Sequence, residues 1–303
     1  MSVEVVIKNR QLIKKPLTIE DITMGKYACG TSDQYMRNTC EVKDGDLIVY
    51  NPKKIGRGIG ILPWKSDLKT EITLLANSFS TRYDFELFYD VIGNIMRVWK
   101  TKHFEQEGIK YSAADLGRLC EEQKSASLDY MADIENILKD DGNEITIFGA
   151  MFPLYVETRI IKRLGIARDE EEYADYLHSL QCMDAYYAIP LFYNGKVKTD
   201  TIFGNYAITS ETDTIFPVKP IVPPFANDPK TGKPLECSLY AVSLYSYAKK
   251  KMLARVSFDD FCKMADIENC EKHDRMHVIL KGISEERLEE MAAAGCADPL
   301  EGI

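Results

Sequence analysis

The sequence predicts an α+β protein with a mixed, mostly antiparallel sheet or sheets, three central amphipathic helices and a β-α-β-α C-terminal segment. The chain has 303 residues, of which 45% are hydrophobic and 28% are charged, an ordinary globular balance. Short alternating segments occupy its N-terminal third, segments with helical periodicity occupy its centre, and strand-like segments with turn signals follow. These three observations predict the class.

The N-terminal third contains segments typical of strands and turns. Val3, Val5 and Ile7 alternate with polar residues, as in a half-buried strand. Three further strands are predicted, at residues 47–50, 55–62 and 71–76. Residues 27–46 are polar and rich in turn formers, so we expect a long exposed loop there.

Three amphipathic helices are predicted in the middle of the chain. The first covers residues 80–100, with Thr81 as its N-cap and apolar residues at three- and four-residue steps. Its apolar face is formed by Phe85, Phe88, Tyr89, Ile92, Ile95, Met96 and Trp99. The second helix begins at Ser112 with a capping box to Asp115, bends or breaks near Gly117, and stops at Asp141-Gly142-Asn143. The third covers residues 169–183.

Strands return after the helices. Four are predicted, at residues 144–151, 186–193, 201–208 and 214–218. Asn194-Gly195 between two of them is a strong hairpin signal. The C-terminal segment reads as strand, helix, strand and helix, at residues 239–247, 257–265, 275–280 and 284–294. Gly295 stands where a glycine C-cap belongs.

A proline-rich stretch suggests the domain organisation. Residues 216–236 hold six of the twelve prolines, which exclude a central strand or helix there. We therefore predict a main α+β domain at residues 1–215 and a linker or extended crossing at 216–236. Residues 237–303 form a small β-α-β-α module, which either stands alone or packs into the first domain.

Charge and hydropathy exclude several classes of protein. The net charge of −9 disfavours nucleic acid and anionic membranes as partners. The basic clusters at Lys14-Lys15, Lys53-Lys54 and Lys249 to Lys251 are short, as on solvated faces. No apolar run is long enough for a membrane span, and the N-terminus does not resemble a signal peptide. We therefore expect a cytoplasmic protein whose eight cysteines are reduced.

The sequence comes closest to a metal motif at Cys270-x-x-His273-x-x-x-His277, with Cys262 upstream. Cysteine and histidine at such spacings are typical of zinc sites. However, residues 275–280 alternate like a strand, along which four residues span roughly 13 Å, too far for two imidazoles to share one ion. The sequence therefore predicts neither a metal site nor any other cofactor.

A glycine-rich segment at residues 55–61 is the second candidate. It matches neither dinucleotide-binding nor P-loop spacing, and Pro63 prevents a helix from following at once. We interpret it as a bent strand or a close backbone approach. If a ligand binds here, Arg57 and Trp64 are its natural contacts. Neither G-x-S-x-G nor H-E-x-x-H occurs, so no catalytic residue is assigned.

Three segments carry a family resemblance. They are residues 81–89 (Thr-Arg-Tyr-Asp-Phe-Glu-Leu-Phe-Tyr), 131–149 and 180–190. They resemble an uncharacterised family of Gram-positive bacterial proteins of about this length. The resemblance implies a cytoplasmic bacterial protein, and because the family has no known function it carries over no site residue.

The sequence alone does not identify a function. The absence of a recognisable catalytic motif favours a cytosolic, non-enzymatic binding or interaction protein with a protein partner or as a homo-oligomer. The chain has 17 tyrosines, several of them in predicted strands. Tyrosine is favoured both in sheets and at protein interfaces, so its abundance is consistent with either role. The alternative is a hydrolase-type enzyme whose carboxylate or cysteine site is assembled from distant residues.

Overall fold

A computed structural model describes residues 2–138, 144–195, 201–223, 226–228, 231–237, 239–294 and 297–301. The chain divides into two compact units, Met1–Cys182 and Met183–Ile303. Across the described residues it forms eight α-helices and several mostly antiparallel sheets, which confirms the α+β class. Within the same residues, no helix combines the length and apolarity needed to cross a lipid bilayer.

A seven-stranded antiparallel sheet forms the centre of unit 1. Its strands are β1 (Val3–Lys8), β2 (Ala28–Thr31), β3 (Gly45–Tyr50), β4 (Ile59–Trp64), β5 (Glu71–Ala76), β6 (His103–Gln106) and β7 (Ile109–Ser112). They pair in the order β2-β3-β4-β5-β1-β6-β7. The predicted alternation of β1 is confirmed, because Val3, Val5 and Ile7 are buried while Lys8 faces outward.

Six helices and a second hairpin complete unit 1. The helices are α1 (Ile19–Thr23), α2 (Arg82–Val98), α3 (Leu116–Ala132), α4 (Ile134–Leu138), α5 (Thr158–Ala167) and α6 (Glu170–Gln181). The hairpin pairs β8 (Glu144–Phe148) with β9 (Pro153–Glu157). All seven apolar residues predicted for the first helix are buried, so that face of α2 packs into the core. Burial of each large side chain stabilises the fold by about 1.5–3 kcal/mol.

The second predicted helix is divided. A short 3-10 turn precedes α3, and the break before α4 lies at Asp133, not near Gly117 as the sequence suggested. The break coincides with close packing by α5, since a Cβ at Gly165 would lie 2.4 Å from the backbone nitrogen of Ala132. The predicted stop at Asp141-Gly142-Asn143 lies outside the described residues.

The prediction of a long exposed loop at residues 27–46 is wrong at its two ends, where residues 28–31 and 45–46 belong to strands. β2 lies in this segment and pairs with β3 over four residues. The polar residues that suggested a loop bond to one another, as when Asp33 accepts hydrogen bonds from the backbone of Tyr35 and from the side chain of Arg37. Tyr35 is buried as a result.

Unit 2 contains two four-stranded sheets and two helices. The first sheet, in spatial order, consists of β10 (Tyr186–Tyr187), β13 (Thr214–Pro217), β17 (His277–Leu280) and β16 (Glu271–Lys272). The second consists of β11 (Leu191–Asn194), β12 (Ile202–Thr209), β14 (Leu239–Ser246) and β15 (Lys251–Ser257). The helices are α7 (Phe258–Met264) and α8 (Glu285–Ala293).

An aromatic cluster lies in the core of unit 2. The ring of Phe216 lies 5.3 Å from that of Phe258 and 5.0 Å from that of Phe261. Tyr206 contacts Phe216 at 5.5 Å. Such pairs add about 0.5–1.5 kcal/mol each beyond their buried area, and they join residues from β12, β13 and α7.

The units divide at a different position from the predicted domains. The proline-rich stretch 216–236 lies within unit 2, where β12 before it pairs in parallel with β14 after it. The predicted hairpin is confirmed by the antiparallel pairing of β11 and β12, but Asn194 pairs with Ile202 inside the ladder, and residues 196–200 between the strands lie outside the described residues. The predicted strand 186–193 is divided between the two sheets, because Pro190 withholds a ladder donor. Gly295 lies outside the described residues.

Candidate functional site

The glycine-rich segment 55–61 supports the fold of unit 1. The backbone N–H groups of Arg57 and Gly58 donate to the Asp84 carboxylate at 3.0 and 2.8 Å. A Cβ at Gly56 would lie 2.4 Å from an oxygen of Asp84, so glycine permits the approach. The predicted close backbone approach is therefore confirmed, and regular strand geometry begins only at Ile59.

Asp84 also completes the capping box of α2, in which Thr81 is the N-cap. Its carboxylate accepts from the backbone and hydroxyl of Thr81 at 2.7 and 2.9 Å, while Thr81 accepts in return from the Asp84 backbone. Burial raises the pKa of Asp84, and the hydrogen bonds act in the opposite direction. This carboxylate joins a loop to a helix.

The two residues expected to contact a ligand here, Arg57 and Trp64, make their contacts within the protein instead. Trp64 is 3% exposed and belongs to the core of unit 1. The Arg57 guanidinium donates to the main-chain oxygen of Phe148 at 3.0 Å and to that of Ser78. Burial lowers the pKa of Arg57. The glycine-rich segment is therefore a structural element.

The histidine pair lies in a tight hairpin between β16 and β17. The backbone N–H of His273 donates to the carbonyl oxygen of His277 at 3.0 Å, so the two residues face each other across the turn. Their ring centroids are 6.4 Å apart. The expectation of a separation near 13 Å is wrong because His273 precedes the turn instead of continuing the strand that holds His277.

Asp274 completes a group that the sequence analysis did not identify. Donor atoms of His273, Asp274 and His277 all lie within 4.8 Å of one another. Nδ1 of His277 is 2.9 Å from one carboxylate oxygen, and Nδ1 of His273 is 3.7 Å from the other. All three side chains are at most 1% exposed. The Cys-x-x-His spacing suggested the cysteine as a ligand beside the histidines. In the structure, the third donor of the group belongs to the neighbouring Asp274.

The cysteines of that motif lie outside the group. Cys270 points its thiol at the carbonyl oxygen of Asp266, 3.6 Å away. Cys262 packs against the core of unit 2, and burial raises the pKa of its thiol to about 11. Burial also raises the pKa of Cys120 to about 11. Nucleophilic cysteines need the opposite shift, so these thiols give no support to the hydrolase alternative.

A basic cleft in unit 1 has no counterpart in the sequence predictions. Its volume is about 250 Å³, and it lies on the outward face of β1, β6 and β7 beside the segment that follows α2. Its lining consists of Val6, Lys8, Arg10, Lys100, Thr101, Lys102, His103, Phe104, Glu105 and Lys110. Five of these residues are cationic, and one is a carboxylate.

Most of the cationic groups in the basic cleft are uncompensated. Lys8 lies 3.8 Å from Glu105 and 3.6 Å from Glu71. The other four are Arg10, Lys100, Lys102 and Lys110. They make no ion pair with any residue that the structure describes. With His103 neutral, five positive charges against one negative leave the lining at +4.

Sequence spacing explains why the basic cleft was not predicted. Lys8 and Arg10 are separated from Lys100 and Lys102 by about ninety residues. The antiparallel pairing of β1 with β6 brings the two groups together, and the β6–β7 hairpin adds Lys110 opposite Glu105. Each group alone is a short basic stretch, which on a single sequence is typical of a solvated face.

Several tyrosines of unit 2 remain exposed. Tyr186, Tyr193, Tyr245 and Tyr247 are among the exposed large side chains, and Tyr247 reaches 71% exposure. Tyrosine is enriched at interfaces. The predicted protein partner or homo-oligomer stays a prediction.

These features define an α+β protein with a basic cleft in one unit and a buried His-Asp-His group in the other. The chain belongs to the family described as Domain of unknown function (DUF4299), whose model matches residues 2–291. Neither the curated proteins nor the solved structures contain a match to the chain. The resemblance to an uncharacterised family is therefore confirmed, and its Gram-positive origin stays a prediction. The family's function is unknown, so it assigns no role to any residue.

Proposed function

We propose that this protein is a cytoplasmic, non-enzymatic binding protein whose ligand is a small, multiply charged anion of the phosphate-ester class. The ligand would bind in the basic cleft of unit 1. The observation that supports this proposal is a +4 lining in a chain whose net charge is −9. Concentrated charge of one sign attracts and holds a ligand of the opposite sign.

The chemistry of the lining favours phosphate over a carboxylate. Arg10 offers a planar fork that matches two oxygens of a phosphate, and lysines act as mobile point charges around it. The Thr101 hydroxyl donates to the carbonyl oxygen of His103 at 3.2 Å, which holds this part of the lining in place. The cleft volume of about 250 Å³ is near the lower limit for small-molecule sites, which favours a compact ligand.

The expected affinity is modest because the cationic side chains are exposed. Each exposed ion pair contributes at most about 1 kcal/mol, slightly more where the anion carries two charges. Four such contacts correspond to a dissociation constant of about 0.1–1 mM. Additional groups on the natural ligand, packed against the half-buried Val6, would strengthen binding beyond this range.

The test is calorimetric titration of the full chain with inorganic pyrophosphate at low and at physiological salt. We expect binding in the range above, weakened by salt because the contacts are ionic. The variant Lys102→Ala/Lys110→Ala removes two lining charges and should weaken binding at least tenfold.

The matched control is Lys53→Ala/Lys65→Ala. These two lysines are exposed, belong to unit 1 and lie outside the basic cleft, and their removal changes the net charge equally. Binding by this control should equal that of the wild type. Equal weakening in both variants would mean that net charge, not the cleft, attracts the anion, and the proposal would fail. Absence of binding to the wild type at millimolar pyrophosphate would also end it.

A further inference from the structure

The turn between β16 and β17 places three potential metal ligands within five residues. His273 precedes the turn, Asp274 lies in it and His277 follows it, with their donor atoms within 4.8 Å of one another. The backbone bond from His273 to His277 fixes the separation of the two histidines. Because the ligands are local in sequence, the group forms wherever this hairpin forms.

The distances between the donor atoms are of the order of those in a coordination sphere. Metal–ligand bonds of about 2.1 Å in a tetrahedral site separate neighbouring donors by about 3.4 Å. Nδ1 of His277 lies 2.9 Å from one Asp274 oxygen, and Nδ1 of His273 lies 3.7 Å from the other oxygen. An ion bound by the three side chains therefore needs rotations that bring one oxygen to both imidazoles or that let both oxygens bind it.

Backbone hydrogen bonds hold the carboxylate in place. One Asp274 oxygen accepts from the N–H groups of Met276 and His277, both at 2.8 Å. The ring of Tyr187 packs against that of His277, with centroids 5.0 Å apart. Orientation of metal ligands by such surrounding contacts raises metal affinity, and here it is provided by the hairpin itself.

Burial keeps the group away from water. The three side chains are at most 1% exposed, and Asp274 is the one acid among them. Its carboxylate is already hydrogen-bonded, and a bound cation adds further compensation of its charge. Two imidazole nitrogens and one carboxylate oxygen suit divalent first-row transition metals.

We propose that His273, Asp274 and His277 bind one divalent first-row transition-metal ion, with Zn²⁺ as the first candidate. The ion fastens the β16–β17 hairpin, and β17 in turn pairs with β13 in the same sheet. The metal therefore stabilises unit 2 at the edge where its first sheet would otherwise end in a two-residue strand. The basic cleft of unit 1 takes no part in this site.

The test uses the full chain, produced without a polyhistidine tag and dialysed against excess Zn²⁺ and then against metal-free buffer. We expect about one equivalent of zinc by elemental analysis. We also expect a melting temperature several degrees above that of the chelated protein, because an ion that binds only the folded state stabilises it. Replacement with Co²⁺ should give visible absorption typical of nitrogen and oxygen ligands.

Three variants distinguish this site from a Cys–His site and from loss of folding. Asp274→Asn keeps an oxygen that can accept the turn hydrogen bonds but removes the charge, and we expect binding at least tenfold weaker. His277→Gln should lose the equivalent. Cys270→Ser should retain it, because that thiol points at Asp266.

Two outcomes would overturn the proposal. The first is a wild-type chain that retains no zinc after dialysis and shows no change in melting temperature. The second is a folded Asp274→Asn protein that binds zinc as tightly as the wild type. Circular dichroism of each variant establishes that it is folded, so a failure of folding is not mistaken for a loss of ligation.

Discussion

Replacement of Asp84 by alanine tests whether one carboxylate joins the glycine-rich segment to α2. The variant removes the acceptor for the Thr81 backbone N–H in the capping box together with the acceptor for the N–H groups of Arg57 and Gly58. The matched control is Asp21→Ala. Asp21 forms the same capping box with Thr18 at the start of α1, but it is exposed and holds no distant loop.

The magnitude follows from the bonds that each variant loses. Loss of the bond from the N-cap backbone to the carboxylate costs about 1 kcal/mol in either protein. Asp84→Ala also leaves the part-buried N–H of Arg57 and the buried N–H of Gly58 without their charged acceptor, at about 1.5 kcal/mol each, the lower end for bonds to ions. The lower end applies because burial already raises the pKa of Asp84 and weakens its hold on charge. The expected losses of unfolding free energy are about 4 kcal/mol for Asp84→Ala and about 1 kcal/mol for Asp21→Ala.

Tryptophan fluorescence during urea unfolding measures this difference. The chain has two tryptophans, Trp64 and Trp99, and both lie in the core of unit 1, so the signal reports that unit. A loss of 4 kcal/mol lowers the urea midpoint by about 2 M for a slope near 2 kcal/mol/M. If the two variants lose equal stability, the bonds from Asp84 to the loop contribute nothing, and the reasoning is refuted.

Two further predictions concern helix packing and pH. Gly165→Ala should lower the unfolding free energy by about 1–3 kcal/mol, because its Cβ would meet the backbone of Ala132. Gly117→Ala, with open space around it, should raise the unfolding free energy by up to about 1 kcal/mol in the same urea assay. Glu285 has its pKa lowered from 4.5 to about 2 by hydrogen bonds from the Ala248 backbone and two serine hydroxyls. Its contribution to stability is therefore complete above pH 4.5 and lost as the pH falls towards 2. Glu285→Gln should reduce the pH dependence of the urea midpoint across that window, followed by circular dichroism because both tryptophans lie in unit 1.

Local sequence patterns predicted the elements in which the buried apolar residues recur at the spacing of a helix or a strand. The face of α2 is continuous over seven apolar residues, and its Thr81 cap immediately precedes it. The alternation of β1 is equally direct. In both elements, the side chains that define the period are the ones that pack into the core.

The elements that were missed depend on contacts distant in the sequence. α5 has four large apolar residues among its ten, but it is short and packs on α3 through the small Gly165, which in a sequence suggests a weak helix. The strands β6 and β7 are polar because one face of each lines the basic cleft. Polar strands lack the apolar alternation by which strands are recognised.

The candidate sites show the same division. The histidine pair was found from its spacing, but the distance between the two histidines was misjudged. The turn at Asp274 lies before the apolar residues that mark β17, so their pattern does not reveal it. The cationic residues of the basic cleft have no spacing in common, so only strand pairing brings them together. A sequence records which residues are present, whereas a site also requires knowing which strands are neighbours.

The position of β1 has a consequence for handling the protein. Although it comes first along the chain, β1 lies inside the sheet, with six residue pairs to β5 and two to β6. A chain that lacks the residues up to Lys8 would lose β1, the strand that joins β5 to β6. The edges of β5 and β6 would then have unpaired backbone N–H and C=O groups. Unpaired strand edges form hydrogen bonds with other chains. The shortened protein should therefore aggregate. A synthetic peptide with the sequence of β1 should suppress the aggregation by occupying the position of the missing strand.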